Sequence, residues 1–213
     1  MRADLVFYRI ARNLLVGFCR VWLRMRIDGV ENVPATGPFV LAPVHRSNLD
    51  TLIAAGVTKR RMRFMGKDSL WKHRAPAAVL SALGGFPVHR GSADREALRK
   101  CIEIIDGGEP LVIFPEGTRR SGDVVEDIFE GAAYVACRTG VPVVPVGIAG
   151  SEAAMPKGSK GIHRSRVRVV VGAPLPPPSS DGGRVPRSAV RALTEQLHGE
   201  LQRLFDEARG RVA

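Results

Sequence analysis

Hydrophobic residues along the chain form three patterns. Residues 39–44, 111–114 and 143–148 are continuous apolar runs, the signature of strands buried on both faces. Residues 166–171 alternate apolar with polar, which predicts an edge strand, and 63–65 and 86–88 read as shorter strands. Between these runs the apolar spacing turns helical, at 49–57, 76–83, 94–105, 131–138 and 188–208. Several of these helices meet a stop signal: Gly84-Gly85, Gly107-Gly108 and Gly140. Residues 29–38 are rich in turn formers, and 174–186 read as a proline-rich linker. Strands alternating with helices predict an α/β fold with a mixed, partly parallel sheet flanked by helices.

The first 26 residues differ from the rest. Wound as a helix over 3–24, they place Arg2, Arg9, Arg12, Asn13, Arg20 and Arg24 within about 60° of one direction. The other faces carry Leu5, Phe7, Ile10, Leu14, Phe18, Val21 and Trp22, among others. This is the pattern of an amphipathic membrane-interface helix, its apolar side in lipid and its arginines at headgroup level. The same apolar side also suits packing against its own domain. No run of about 18 apolar residues free of arginine is present, so the helix is not read as a transmembrane span. Arg9 and Arg12 likewise interrupt the apolar region that a signal peptide needs.

Composition narrows the class. Two hundred and thirteen residues suit one domain with a core of its own. The expected organisation is a basic helix over 1–26, an α/β domain over 27–175, and a linker plus amphipathic helix over 176–213. Cys19, Cys101 and Cys137 cannot all pair and lack zinc-site spacing, which argues against a disulfide scaffold or a structural metal. The net charge of +11 resides in two stretches, +5 within 1–26 and +6 within 58–74, so an anionic partner is expected to meet those segments. Aromatics are sparse and no nucleic-acid-binding motif is present, so nucleic acid is not the expected partner.

Candidate chemistry clusters where buried strands end. His45-Arg46-Ser47-Asn48-Leu49-Asp50 pairs a histidine at a strand exit with an aspartate in the first turn of a helix. Such an aspartate can return to the imidazole, fix its tautomer and let it deprotonate a hydroxyl. A second His-x4-Asp, His89 to Asp94, repeats the spacing; either can also be a helix cap following a strand. Phe114-Pro115-Glu116-Gly117-Thr118-Arg119-Arg120 offers a close backbone approach at Gly117, guanidinium forks for a phosphate, and a carboxylate for a polyol hydroxyl. Arg90 is another possible anion ligand. Val141-Pro142-Val143-Val144-Pro145-Val146 is chemically inert and suits a pocket wall or a core strand.

In this order and at these spacings, the four blocks resemble those of the glycerolipid acyltransferases, most closely the bacterial 1-acylglycerol-3-phosphate acyltransferase family. The resemblance covers roughly residues 25–175. It implies that His45 is the general base and Asp50 its orienting partner. It further implies that Arg90 holds the acceptor phosphate, that Glu116, Gly117, Thr118 and Arg119 bind the glycerol phosphate, and that Pro145 helps shape the pocket beside the acyl chain. It implies no bound cofactor or metal, an acyl-CoA or acyl carrier protein thioester as co-substrate, lysophosphatidic acid as acceptor, and attachment to the cytoplasmic face of a membrane with anionic lipids. Two positions depart from the pattern. His89 stands where many relatives carry an acid, and Phe129-Glu130-Gly131 lacks the lysine of the usual Phe-Lys-x-Gly. The same motifs also serve acylation of an ornithine-type lysolipid or phospholipid transacylation. A reading from a different class is a non-catalytic basic membrane-binding module.

Overall fold

A computed structural model of the chain describes residues 3–88, 95–159, 161–178 and 185–212. Seven strands form one sheet in the order β1-β7-β6-β2-β5-β3-β4. They are β1 (Arg26–Asp28), β2 (Val40–Pro43), β3 (Arg63–Lys67), β4 (Gly85–Val88), β5 (Leu111–Val112), β6 (Val143–Ala149) and β7 (Arg168–Val171). Among the described residues, β6 and β7 run antiparallel and every other neighbouring pair is parallel. The helices are α1 (Ala3–Trp22), α2 (Asp50–Ala54), α3 (Arg74–Ala82), α4 (Arg95–Asp106), α5 (Gly131–Thr139), α6 (Ser151–Ala154) and α7 (Arg187–Gly210).

The apolar runs become strands because both of their faces are covered. On β2, Val40 and Ala42 face a core built with α4, α5 and α7, whereas Leu41 and the preceding Phe39 face a second core built with α1 and α2. α7 buries Val190, Leu193, Leu197, Leu201, Leu204, Phe205 and Ala208 at helical spacing. It lies so close to the sheet that a Cβ on Gly147 of β6 would collide with the Leu204 backbone. Glycine is therefore the residue that lets the longest helix seat on the central strands.

One expectation is corrected. The strand at 166–171 is not at the edge: β7 is paired on both sides, by β6 and by β1. The three-residue β1 carries Arg26 and Asp28 and gave no strand pattern in the sequence. Leu175, at the end of the expected α/β domain, exchanges two backbone hydrogen bonds with Val143.

α1 has three sides. Tyr8, Val16 and Cys19 turn inward, with Leu23 just beyond the helix. Arg12 turns inward with them, a departure from its expected place at headgroup level. It is 8% exposed and donates to the carbonyls of Ala55 (3.1 Å), Gly56 (3.3 Å) and Thr58 (2.7 Å), which capture the chain where α2 ends. Arg9, Asn13 and Arg20 form an exposed polar side. Phe7, Ile10, Leu14, Phe18, Val21 and Trp22 form an exposed apolar one. No described helix is long and apolar enough to cross a membrane. In the second basic stretch, Arg60 donates to the carbonyls of Pro34 and Gly37, and Arg61 and Arg63 flank Glu109, while Lys59, Lys72 and Arg74 are exposed.

Candidate active site

Parallel pairing puts the carboxyl ends of β2, β3, β4, β5 and β6 on one edge of the sheet, the edge where open α/β folds bind ligands. His45 lies just beyond β2, and the 114–120 loop lies just beyond the neighbouring β5. Register carries the two to the same level. Val40 faces Leu111, and five residues further on His45 meets Glu116.

The His45–Asp50 pair forms as the spacing predicted. His45 Nδ1 lies 3.0 Å from Asp50 Oδ2. The same oxygen accepts the backbone N–H groups of Arg46 and Ser47, each at 2.6 Å. Asp50 opens α2 and folds back over its own preceding turn, fully buried. Its Oδ1 is buried with no partner among the described residues. A carboxylate fixed by two amides holds its place, so it gives the imidazole a rigid partner at Nδ1 and orients the ring. Phe114 stacks on the imidazole at 4.1 Å between ring centroids and braces it from the side. The His45 side chain is 16% exposed, and Nε2 has no partner among the described residues. Ser47 Oγ is engaged elsewhere, donating to the Met155 carbonyl at 2.9 Å.

The 114–120 loop divides its polar groups between structure and access. Gly117 adopts φ +65, where a side chain is strained, and a Cβ there would lie 2.6 Å from the Phe129 ring. Arg120 turns aside to Glu126 at 2.8 Å. Arg119 is half-buried with no partner among the described residues, and Thr118 is exposed. Of the two guanidinium forks that the sequence offered for a phosphate, Arg119 is thus the uncommitted one.

Two predicted ligands sit differently from their expected roles. Glu116 is fully buried. Its Oε2 accepts the His45 N–H at 2.7 Å, and both oxygens are bound by Arg46 Nη1, at 2.6 and 2.8 Å. A carboxylate so engaged has no oxygen facing a substrate hydroxyl. Pro145 is buried in the middle of β6 opposite Ala42, where a Cβ on Gly172 would lie 2.9 Å from its ring. That is a core position, the second of the two options the sequence left open. Arg90, His89 and Asp94 lie outside the described residues; β4 ends at Val88, on the same sheet edge as His45.

Sequence reasoning missed Phe114 and Arg46. The phenylalanine looked like the end of a strand, and the arginine entered only as part of the His-x4-Asp motif, with no role of its own. Only the parallel pairing of β2 with β5, remote in sequence, brings both against their partners. Glu130, in the place of the family's lysine, precedes α5 and faces α7. Arg191 of α7 is held above its ordinary pKa by its hydrogen bond to Glu195, and Glu130 adds a smaller push. Burial raises the pKa of Cys19 to about 11 and of Cys101 to about 12, so neither is a thiolate at neutral pH.

The structure thus brings an imidazole paired with a buried carboxylate and the loop that carries an uncommitted arginine to the carboxyl edge of a mostly parallel α/β sheet. The Acyltransferase family model matches residues 24–149, and the chain belongs to that family. It is 32% identical to a chloroplast 1-acyl-sn-glycerol-3-phosphate acyltransferase of Arabidopsis thaliana, over 71% of this chain and 44% of that one. A 1-acyl-sn-glycerol-3-phosphate acyltransferase of Bacillus subtilis is 26% identical over 92% of this chain and 96% of its own length. The crystal structure of the 1-acyl-sn-glycerophosphate acyltransferase from Thermotoga maritima superposes with a TM-score of 0.78 at 26% identity, covering 97% of this chain and 83% of that one. The chain spans about half the length of the chloroplast proteins it matches.

Proposed function

We propose that this protein transfers a fatty acyl group from a thioester to the free hydroxyl of 1-acylglycerol-3-phosphate, giving phosphatidic acid for phospholipid synthesis. The observation that carries the reading is the union of a His45–Asp50 dyad with the loop bearing an uncommitted Arg119, joined through Glu116 and Arg120. The Bacillus and Thermotoga relatives, which this chain matches over nearly its whole length, support it.

In the proposed reaction Nε2 of His45 removes the hydroxyl proton as the oxygen attacks the thioester carbonyl. The carbon–sulfur bond then breaks, and the proton passes from the imidazole to the departing thiolate. The products are an oxygen ester and a free thiol, as expected for an acyl-CoA or acyl carrier protein donor, and no acyl-enzyme is required. Asp50 keeps Nδ1 protonated and stabilises the transient imidazolium. Arg119 binds the acceptor phosphate with help from the Gly117-Thr118 backbone, and Arg90 supplies a second cation by resemblance. Glu116 acts here through the protein rather than on the acceptor.

A panel of acceptors with a labelled acyl thioester tests the assignment. 1-Acylglycerol-3-phosphate is expected to react fastest, with one thiol released per acyl group transferred. Preference for an ornithine-type or other lysolipid moves the acceptor assignment; absence of thiol release with every acceptor ends the catalytic reading.

The exposed apolar side of α1, flanked by Arg9 and Arg20, suits a bilayer interface with anionic lipids, and we place the enzyme at the cytoplasmic face, where its thioester donors are made. Leu14 and Val21 are 70% and 76% exposed, so replacing both by glutamate is expected to leave folding intact within about 0.5 kcal/mol per site. Moving two such side chains out of lipid loses ~3 kcal/mol, about a hundredfold in partitioning. Vesicle sedimentation checks this; unchanged pelleting of the double variant excludes α1 as the membrane contact.

A further inference from the structure

Arg46 is 2% exposed, an unusual setting for an arginine. The reason begins in the β2–β5 ladder. Leu111 N–H donates to Phe39 O and Ile113 N–H to Leu41 O, both at 3.0 Å. Two residues further, Pro115 has no N–H to continue the series, and its carbonyl accepts the Phe129 N–H at 2.9 Å. The ladder stops there, and the backbone of β5 gives no support to His45. The His45 N–H is met instead by a side-chain acceptor, Glu116 Oε2, at 2.7 Å. The His45 carbonyl accepts the Arg120 N–H at 2.9 Å, so the 116–120 loop holds both backbone groups of the histidine.

A buried carboxylate holds such a position only with a counter-charge. Arg46 Nη1 meets both Glu116 oxygens, Nη2 donates to the Val124 carbonyl at 3.0 Å, and the guanidinium carbon lies 4.8 Å from the centre of the Phe205 ring of α7. Nε is buried with no partner among the described residues. A desolvated pair with an unsatisfied donor is a poor source of stability compared with apolar packing. What it supplies is direction: one fork, fixed by α7 and the 124 carbonyl, fixes the carboxylate, and the carboxylate fixes the amide of the base.

We propose that Glu116, seated by its buried pair with Arg46, is a positioning residue for acyl transfer, holding the His45 backbone so that the imidazole stays between Asp50 and Phe114. The proposal rests on the acyltransferase reading above. It also reassigns the carboxylate of the third block, from a ligand of the acceptor to a ligand of the histidine's own amide.

Two double variants separate this role from simple packing. Arg46→Met/Glu116→Gln and Arg46→Met/Glu116→Leu both remove the buried charges, but only glutamine keeps an acceptor for the His45 N–H. Thermal midpoint, kcat, acceptor KM and hydrogen exchange at the His45 amide are measured on the full chain. The glutamine variant is expected to keep kcat within about tenfold of the parent. The leucine variant is expected to lose about a hundredfold in kcat, the cost of misplacing a catalytic group by about 1 Å. Its acceptor KM stays within about threefold, and its His45 amide exchanges at least tenfold faster, while the Val44 amide, bonded to Val146 O, is unchanged. Equal kcat and equal amide protection in the two variants overturn the proposal, as does a raised acceptor KM at unchanged kcat, which returns Glu116 to the substrate. If the parent protein transfers no acyl group, the functional reading fails while the exchange measurement still decides the clamp. Should the leucine variant not fold, Arg46→Lys keeps the charge and loses the fork, and the same signs are expected at smaller size.

Discussion

Replacing His45 by alanine is expected to lower kcat for acyl transfer by ~10²–10⁴, the usual contribution of a positioned general base, while binding to anionic vesicles persists. The geometry makes the effect large. Nδ1 is committed to Asp50, Phe114 restrains the ring, and Nε2 is the nitrogen left for a hydroxyl. Among the described residues, Ser47 cannot substitute, because its hydroxyl is bonded to the Met155 carbonyl, and Cys19 and Cys101 are held protonated by burial. His89→Ala is the control and is expected to keep substantial activity, since the second His-x4-Asp is read as fortuitous. Thiol release with a saturating thioester measures both. An exchange of behaviour between the two variants transfers the base to His89.

Arg119→Ala carries the second large effect, and it falls on binding. A hydrogen bond to a charged partner contributes ~1.5–3 kcal/mol, so KM for a phosphate-bearing lysolipid is expected to rise about 10–100-fold. A phosphate-free acceptor is expected to shift by no more than about twofold. Arg119 has no ion-pair partner among the described residues, so its removal strands no buried carboxylate and leaves the thermal midpoint almost unchanged. Arg120, paired with Glu126, serves as the comparison: Arg120→Ala is expected to have the smaller effect. Equal rises in KM for the two acceptors reject the phosphate role for Arg119.

Much of this molecule is legible along the chain because its signals are local. A run such as 39–44 is apolar at every position, which no half-exposed strand tolerates, and β2 duly lies at the centre of the sheet. His45 and Asp50 are five residues apart across a strand–helix junction, so backbone geometry alone brings them together. The 188–208 periodicity predicts α7 and its buried face. The readings that failed were those in which a residue's surroundings come from far away in sequence. The alternation at 166–171 looks like an edge until β1, more than 130 residues earlier, covers it. Arg12 shares a helical direction with Arg9 and Arg20, yet the carbonyls that end α2 turn it inward.

The sequence by itself determined the α/β class, the buried strands, the dyad and the block pattern of the acyltransferases, because periodicity and short-range spacing are set by covalent geometry. Tertiary structure alone decided which charges are free to act. Glu116 read as a ligand and Arg46 had no assigned role, and pairing β2 with β5 shut both inside the protein. Arg119 and Arg120 are adjacent and chemically alike, and the fold committed one to Glu126 while leaving the other open. A charged side chain is worth little or much according to whether a partner reaches it and water leaves it, and both depend on residues that only the folded chain brings near.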